Sequence, residues 1–165
     1  MNKSIILVLL IYLGLMAQCV NSSRSDQPFV HPGMLQSYHD LELMKKKVNA
    51  GADYVVTQMF YDNQKYFDFV KGCRNIGIEV PIIPGLKPIT TLKDLAMLPK
   101  VFNIDIPEVL VKELSKCKTD EEAFQVGIEW GIEQSKELKK FGVPAIHYFT
   151  IGVSDSIKAI AKEIF

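Results

Sequence analysis

An α/β chain built on a parallel sheet is the fold class this sequence predicts, and three observations carry that reading. Short β-branched and aromatic runs alternate with longer amphipathic ones, glycine and proline punctuate the junctions, and the short runs are almost continuously apolar. Continuous apolarity suits strands covered on both faces. Helices of this size between strands imply right-handed crossovers, because parallel neighbours cannot be joined by a tight turn.

The chain has 165 residues, 48% of them apolar, with 19 basic against 19 acidic side chains. That is one modest domain, too apolar for a disordered chain. A balanced charge gives no general attraction to polyanions, so nucleic acid is not an expected partner. An eight-stranded α/β barrel needs roughly 250 residues, so any barrel in this chain is partial.

The elements follow in order. Met1-Asn2-Lys3 precedes an apolar run from Ile5 to Ala17, then Gln18, Cys19, Val20 and a polar stretch to Asp26. Residues 1–27 read as an apolar leader with a polar joint, cleavable because the run is shorter than the roughly 18 to 20 residues of a spanning helix. Export or membrane anchoring is the localisation this leader implies, with membrane contact only if it is retained. From His39 to Ala50 the pattern suits a helix closed by Gly51. Tyr54 to Phe60 reads as a strand, and Asp62 or Asn63 caps a helix that buries Tyr66, Phe67, Phe69, Val70 and Cys73 and stops near Gly77. Val80 to Gly85 reads as a second strand broken by Pro84 and Gly85, after which Thr90 or Thr91 caps a helix that Pro99 ends. Pro107 sits in the first turn of another helix. A long amphipathic helix runs from about Asp120 to Phe141, closed by Gly142. Ala145 to Phe149 is a third strand, and Ser154 to Phe165 a last helix.

Three scattered cysteines, Cys19, Cys73 and Cys117, form no C-x-x-C pair, which argues against a zinc site or a disulfide framework. No G-x-G-x-x-G or P-loop occurs. No nucleophile with an adjacent acid supports a hydrolytic triad, and His147, inside an apolar strand, reads as a core histidine.

Ligands of parallel α/β proteins meet the carboxyl ends of strands, which directs attention to Gln58 to Asp62, Pro84 to Pro88 and Phe149 to Gly152. Gln58 stands out, since an amide among Val55, Val56, Met59 and Phe60 is costly to bury unless its donor and acceptor are used. It either reads the edge of a pterin or carboxamide or bonds neighbouring backbone. His31, Asp40 and the run Lys45-Lys46-Lys47 form a second candidate, able to hold phosphates and ribose hydroxyls or simply to be solvated.

Several stretches together resemble the methylenetetrahydrofolate reductases. These are Val30-His31-Pro32, Asp40-Leu41, Lys45 to Asp53, Thr57-Gln58-Met59-Phe60-Tyr61-Asp62, Pro84 to Ile89, Ile104 to Pro107, Gly142-Val143-Pro144 and His147 to Thr150. The resemblance implies a partial (β/α)8 TIM barrel over residues 28–165, about the last three strands with their helices. It implies a flavoprotein that holds FAD, takes a hydride from NAD(P)H and reduces 5,10-methylenetetrahydrofolate to 5-methyltetrahydrofolate, in a family that is cytoplasmic. By position, His31, Asp40, Lys46 and Lys47 match the flavin-contacting segment and Gln58 the glutamine that addresses the folate. Leu43, Leu98 and Gly152-Val153 depart from residues common in relatives. The family's catalytic glutamate and flavin-tuning aspartate belong upstream of Pro28, where the leader is free of acidic residues, so no catalytic residue is assigned. The expected partners are the folate substrate and either further copies of the chain or the missing amino-terminal half of the barrel. The competing reading is an exported or membrane-anchored, non-catalytic barrel remnant that acts through protein–protein association.

Overall fold

The computed structural model describes residues 38–150 and 154–165. The residues read as leader and joint, and His31, lie outside these. Among the described residues nine elements follow one another: α1 (Tyr38–Asn49), β1 (Val55–Met59), α2 (Asn63–Asn75), β2 (Ile82–Leu86), α3 (Leu92–Phe102), α4 (Glu108–Leu114), α5 (Asp120–Phe141), β3 (His147–Tyr148) and α6 (Asp155–Ile164). The three strands form one sheet in the order β1-β2-β3, parallel throughout. This is part of a (β/α) barrel, three strands wide among the described residues.

Local chemistry sets most of the boundaries. Asp62 caps α2 by accepting a hydrogen bond from the Gln64 backbone N–H, and Thr119 does the same for Glu122 at the start of α5. Three acidic residues fill the first turn of α5 and two lysines its last, both favourable to the helix dipole. Gly142 then stops the helix at φ +92°, a conformation that an L side chain resists.

Each helix offers the sheet one stripe. Leu41, Met44 and Val48 of α1 and Tyr66, Phe69 and Cys73 of α2 recur at helical spacing and share a core with Val55, Ile78, Ile82, Leu86 and Leu138. Tyr66 is held there by donating its hydroxyl to Ile82 O at 2.7 Å, and burial pushes its phenol up to about 12. Burial likewise pushes the Cys73 thiol up to about 11, which makes it a packing group. A second core, over the carboxyl ends of the strands, gathers Met59, Tyr61, Ile89, Leu98, Ile104, Leu110, Leu114 and Ala123. The excursion α3–α4 supplies half of it. On α5 the buried stripe includes Gly127, where a Cβ would lie 1.8 Å from Ile89 O, so only glycine lets this helix approach so closely.

Four expectations are corrected. Strand β2 runs through Pro84 and Gly85 to Leu86, because β1 adapts to the proline as described below. Helix α3 runs through Pro99 to Phe102 and ends at Asn103, which takes the left-handed cap at φ +50°; the fully buried Leu98 anchors the turn that the proline weakens. The third strand pairs only at His147 and Tyr148, with one further bond from Phe149 N to Leu86 O at 2.8 Å. His147 is exposed and packs edge-on against the Phe149 ring at 4.6 Å, so it is no core histidine.

Candidate functional site

The carboxyl ends of the three strands converge as the parallel topology demands. Tyr61, just past β1, donates its hydroxyl to Lys87 O at 2.8 Å, just past β2. Phe149, just past β3, covers Gly85, where a Cβ would sit 2.6 Å from the ring and 2.3 Å from Thr57 O. Of the third expected segment, residues 151–153 lie outside the described residues.

Gln58 owes its position to a bulge. Val55 and Val56 pair with Ile82 and Ile83 in register, but Met59 pairs with Gly85, so Thr57 and Gln58 together oppose the single residue Pro84. Proline has no N–H for the ladder and is tolerated inside a sheet only where pairing is already broken, as at a bulge. Two side-chain oxygens replace the lost regularity. Gly85 N donates to Thr57 Oγ1 at 3.0 Å, and Met59 N donates to Gln58 Oε1 at 3.0 Å. The amide oxygen of Gln58 is therefore committed to backbone. Its Nε2 has no partner among the described residues and presents two donors at the carboxyl edge.

An ion pair joins this edge. Lys87 Nζ lies 3.5 Å from Asp94 Oδ2, each side chain 8% exposed, and 3.4 Å from Pro88 O. Asp94 Oδ2 also accepts from Thr90 N, Thr90 Oγ1 and Thr91 N, which ties the first turn of α3 to the end of β2. Sequence reasoning missed both residues. Thr91 with Asp94 three positions on is a capping-box spacing, and Lys87 stands between Leu86 and Pro88 in an apolar run, but their pairing is tertiary.

Helix α5 closes the edge from behind. Trp130 Nε1 donates to Tyr61 O at 3.3 Å, and Gln134 Nε2 to Phe60 O at 3.0 Å. Asn63 Nδ2 donates to Gln134 O and to Glu137 Oε2. The cavity left among Tyr61, Lys87, Trp130, Gln134 and Tyr148 has about 10 Å³ of free volume, room for one water at most. Burial raises the Tyr61 phenol far above its ordinary range, so it stays a hydrogen-bond donor at any physiological pH.

The second candidate cluster is not brought together with the first. Asp40 belongs to the first turns of α1, while Lys46 and Lys47 lie in its last turn, exposed and half-buried. Helix α1 leads into the amino end of β1, and no hydrogen bond among the described residues joins either lysine to Gln58. Neither ammonium pairs with a carboxylate among the described residues. Among the described residues no group of His, Cys, Asp and Glu side chains could hold a metal ion, and no helix is long and apolar enough to cross a membrane.

Comparison with known proteins adds the family. The sequence model of the methylenetetrahydrofolate reductases matches residues 15–164. The chain is 37% identical over 147 residues to methylenetetrahydrofolate reductase (NADH) 1 of Arabidopsis thaliana, covering 83% of this chain and 25% of that one. It is 36% identical to a probable methylenetetrahydrofolate reductase (NADPH) of Caenorhabditis elegans, covering 83% of this chain and 21% of that one. With the 5,10-methylenetetrahydrofolate reductase of Escherichia coli (strain K12) it shares 32% identity, over 83% of this chain and 47% of that one. The chain thus spans between about a fifth and a half of the length of these relatives. A solved protein of Clostridium thermocellum, described as binding two copies of 5-methyl-5,6,7,8-tetrahydrofolic acid, superimposes with a TM-score of 0.53 at 23% identity, over 82% of this chain and 50% of that one. At that identity the likeness shows the fold alone.

Proposed function

The chain belongs to the methylenetetrahydrofolate reductase family, and from there we propose that it supplies the folate-reading edge and part of the flavin seat of an NAD(P)H-dependent enzyme. That enzyme reduces 5,10-methylenetetrahydrofolate to 5-methyltetrahydrofolate. The observation that carries the reading is the bulge that leaves the two Gln58 Nε2–H groups at the carboxyl edge of a parallel sheet, where barrel enzymes bind their substrates.

Gln58 presents its two N–H donors, one lone pair of its oxygen being bound to Met59 N–H. The partner it selects is an acceptor, such as the carbonyl or an unprotonated ring nitrogen of a pterin. Phe149 and the α3–α4 excursion exclude water from one side of that edge, and the Lys87–Asp94 pair fixes its floor.

Bound FAD would accept a hydride from the nicotinamide and deliver it to the folate. Its diphosphate suits Lys46 and Lys47, with Asp40 and His31 completing that segment. The cavity among Tyr61, Lys87, Trp130, Gln134 and Tyr148, with room for one water at most, is not the seat of its isoalloxazine ring. The enzyme acts as a closed barrel that this sheet completes, in the cytoplasm as the family reading expects unless residues 1–27 redirect it.

The test is reconstitution with the amino-terminal half of a related reductase. A yellow complex that oxidises NADH or NADPH only when 5,10-methylenetetrahydrofolate is added is the expected outcome. Lys46→Ala with Lys47→Ala lowers flavin content, whereas Gln58→Ala lowers folate turnover more than flavin content. A folded, colourless and inactive complex overturns the proposal.

A further inference from the structure

We infer that Thr57 is a positioning residue: its hydroxyl locks β1 in the bulged register that presents Gln58. The significance for folate rests on the function proposed above, but the lock itself rests on geometry alone. Pro84 offers no N–H to β1, and the next donor on β2, Gly85 N, is turned toward β1 with a side-chain hydroxyl as its acceptor. Gly85 is buried, so losing that acceptor strands a backbone donor away from water.

The cheapest repair is a slip. If the carboxyl half of β1 moves by one residue, Gly85 N regains a backbone acceptor, and every following side chain exchanges faces because strand side chains alternate. Gln58 would then leave the carboxyl edge and Met59, now buried in the second core, would replace it. Burial of Met59 in the second core and the bonds of α5 to Phe60 O and Tyr61 O hold the chain beyond the bulge, and the Thr57 hydroxyl holds the bulge itself. Val55 and Val56 pair in the same register with or without the bulge, and Gly85 has no side chain to interlock. A hydroxyl two residues from Val55 therefore closes the bulge on which the face of Gln58 depends. Valine has the same shape as threonine but cannot accept a hydrogen bond, and serine accepts but is smaller.

The experiment uses the full 165-residue chain, isotopically labelled, as wild type, Thr57→Val and Thr57→Ser. Two signals are read by NMR: hydrogen exchange of the Gly85 amide and the side-chain NH2 resonances of Gln58. Thr57→Val is expected to speed Gly85 exchange at least about tenfold relative to the Ile78 amide, and to move the Gln58 NH2 resonances. Thr57→Ser is expected to restore both. Wild-type signals in Thr57→Val, or a folded Thr57→Ser chain that loses either signal, overturn the lock. If Thr57→Val does not fold, Thr57→Ser decides by the same two signals. Adding 5-methyltetrahydrofolate to the labelled chain reconstituted with the amino-terminal half of a related reductase separates the two proposals. If the Gln58 resonances respond to Thr57→Val but not to the folate, the lock stands and the folate reading fails. If they do not respond to Thr57→Val, the lock fails whatever the folate does.

Discussion

The two ends of the sheet are built differently. At the amino end Val55 and Val56 pair in register with Ile82 and Ile83 above an apolar core, and the polar atoms there serve the backbone, as when Tyr66 donates to Ile82 O. At the carboxyl end the register breaks, a proline stands in the middle strand, and an ion pair, two amides and a tyrosine hydroxyl are buried around a cavity of about 10 Å³. Buried polar groups add little to stability compared with apolar packing and are costly when left unpaired. Their concentration at one end marks where binding has been favoured over stability.

That contrast is open to attack at both ends. The largest effect is expected from Asp94→Ala, which strands the buried Lys87 ammonium and three donors of Thr90 and Thr91. It should cost about 3–5 kcal/mol in denaturant unfolding. Lys87→Met also leaves a buried charge, but the Asp94 carboxylate keeps its three donors from Thr90 and Thr91, so this variant should cost less than Asp94→Ala. Equal losses in the two variants would show the pair to be a stabilising element and erase the contrast. Gly127→Ala should cost about 3 kcal/mol, because its Cβ meets Ile89 O and not a movable side chain. At the amino end Ile82→Val should cost about 1 kcal/mol, the usual loss of one buried methylene, with no effect on ligand binding.

A further effect is alkaline. Burial raises Cys73 from 9.0 to about 11 and Tyr66 from 10.0 to about 12, so the unfolded chain releases these protons first. Their contribution to stability is complete below pH 9 and is lost as pH rises through about 11 and 12. Urea midpoints measured from neutral pH upward should fall in that window, and Cys73→Ala should flatten the early part of the fall. A flat profile in the wild type would mean that the amino-end core is wetter than its packing implies.

What the sequence made legible follows the same division. The limits of α5 and the cap of α2 are visible because Thr119, Asp62 and Gly142 act on their own backbone neighbours. Pro84 and Pro99 mislead because a rule for one residue registers the missing donor but not the compensation. For Pro84 that compensation is a hydroxyl from another strand, Thr57, and for Pro99 it is the burial of Leu98 with a left-handed Asn103. Gln58 is conspicuous as an amide in an apolar run, but only the structure shows its oxygen already used. The Lys87–Asp94 pair was illegible, since a lysine after a strand ordinarily reaches solvent and its partner lies on the next helix.

The central claim is that the carboxyl end reads folate through the donors of Gln58, and Gln58→Glu tests it most directly. The substitution keeps an oxygen for Met59 N–H and removes both amide donors. Calorimetric titration of 5-methyltetrahydrofolate into the reconstituted barrel should show binding weakened at least about tenfold, the loss of one good hydrogen bond, with the thermal midpoint unchanged. Equal affinity for the wild type and Gln58→Glu would contradict the account.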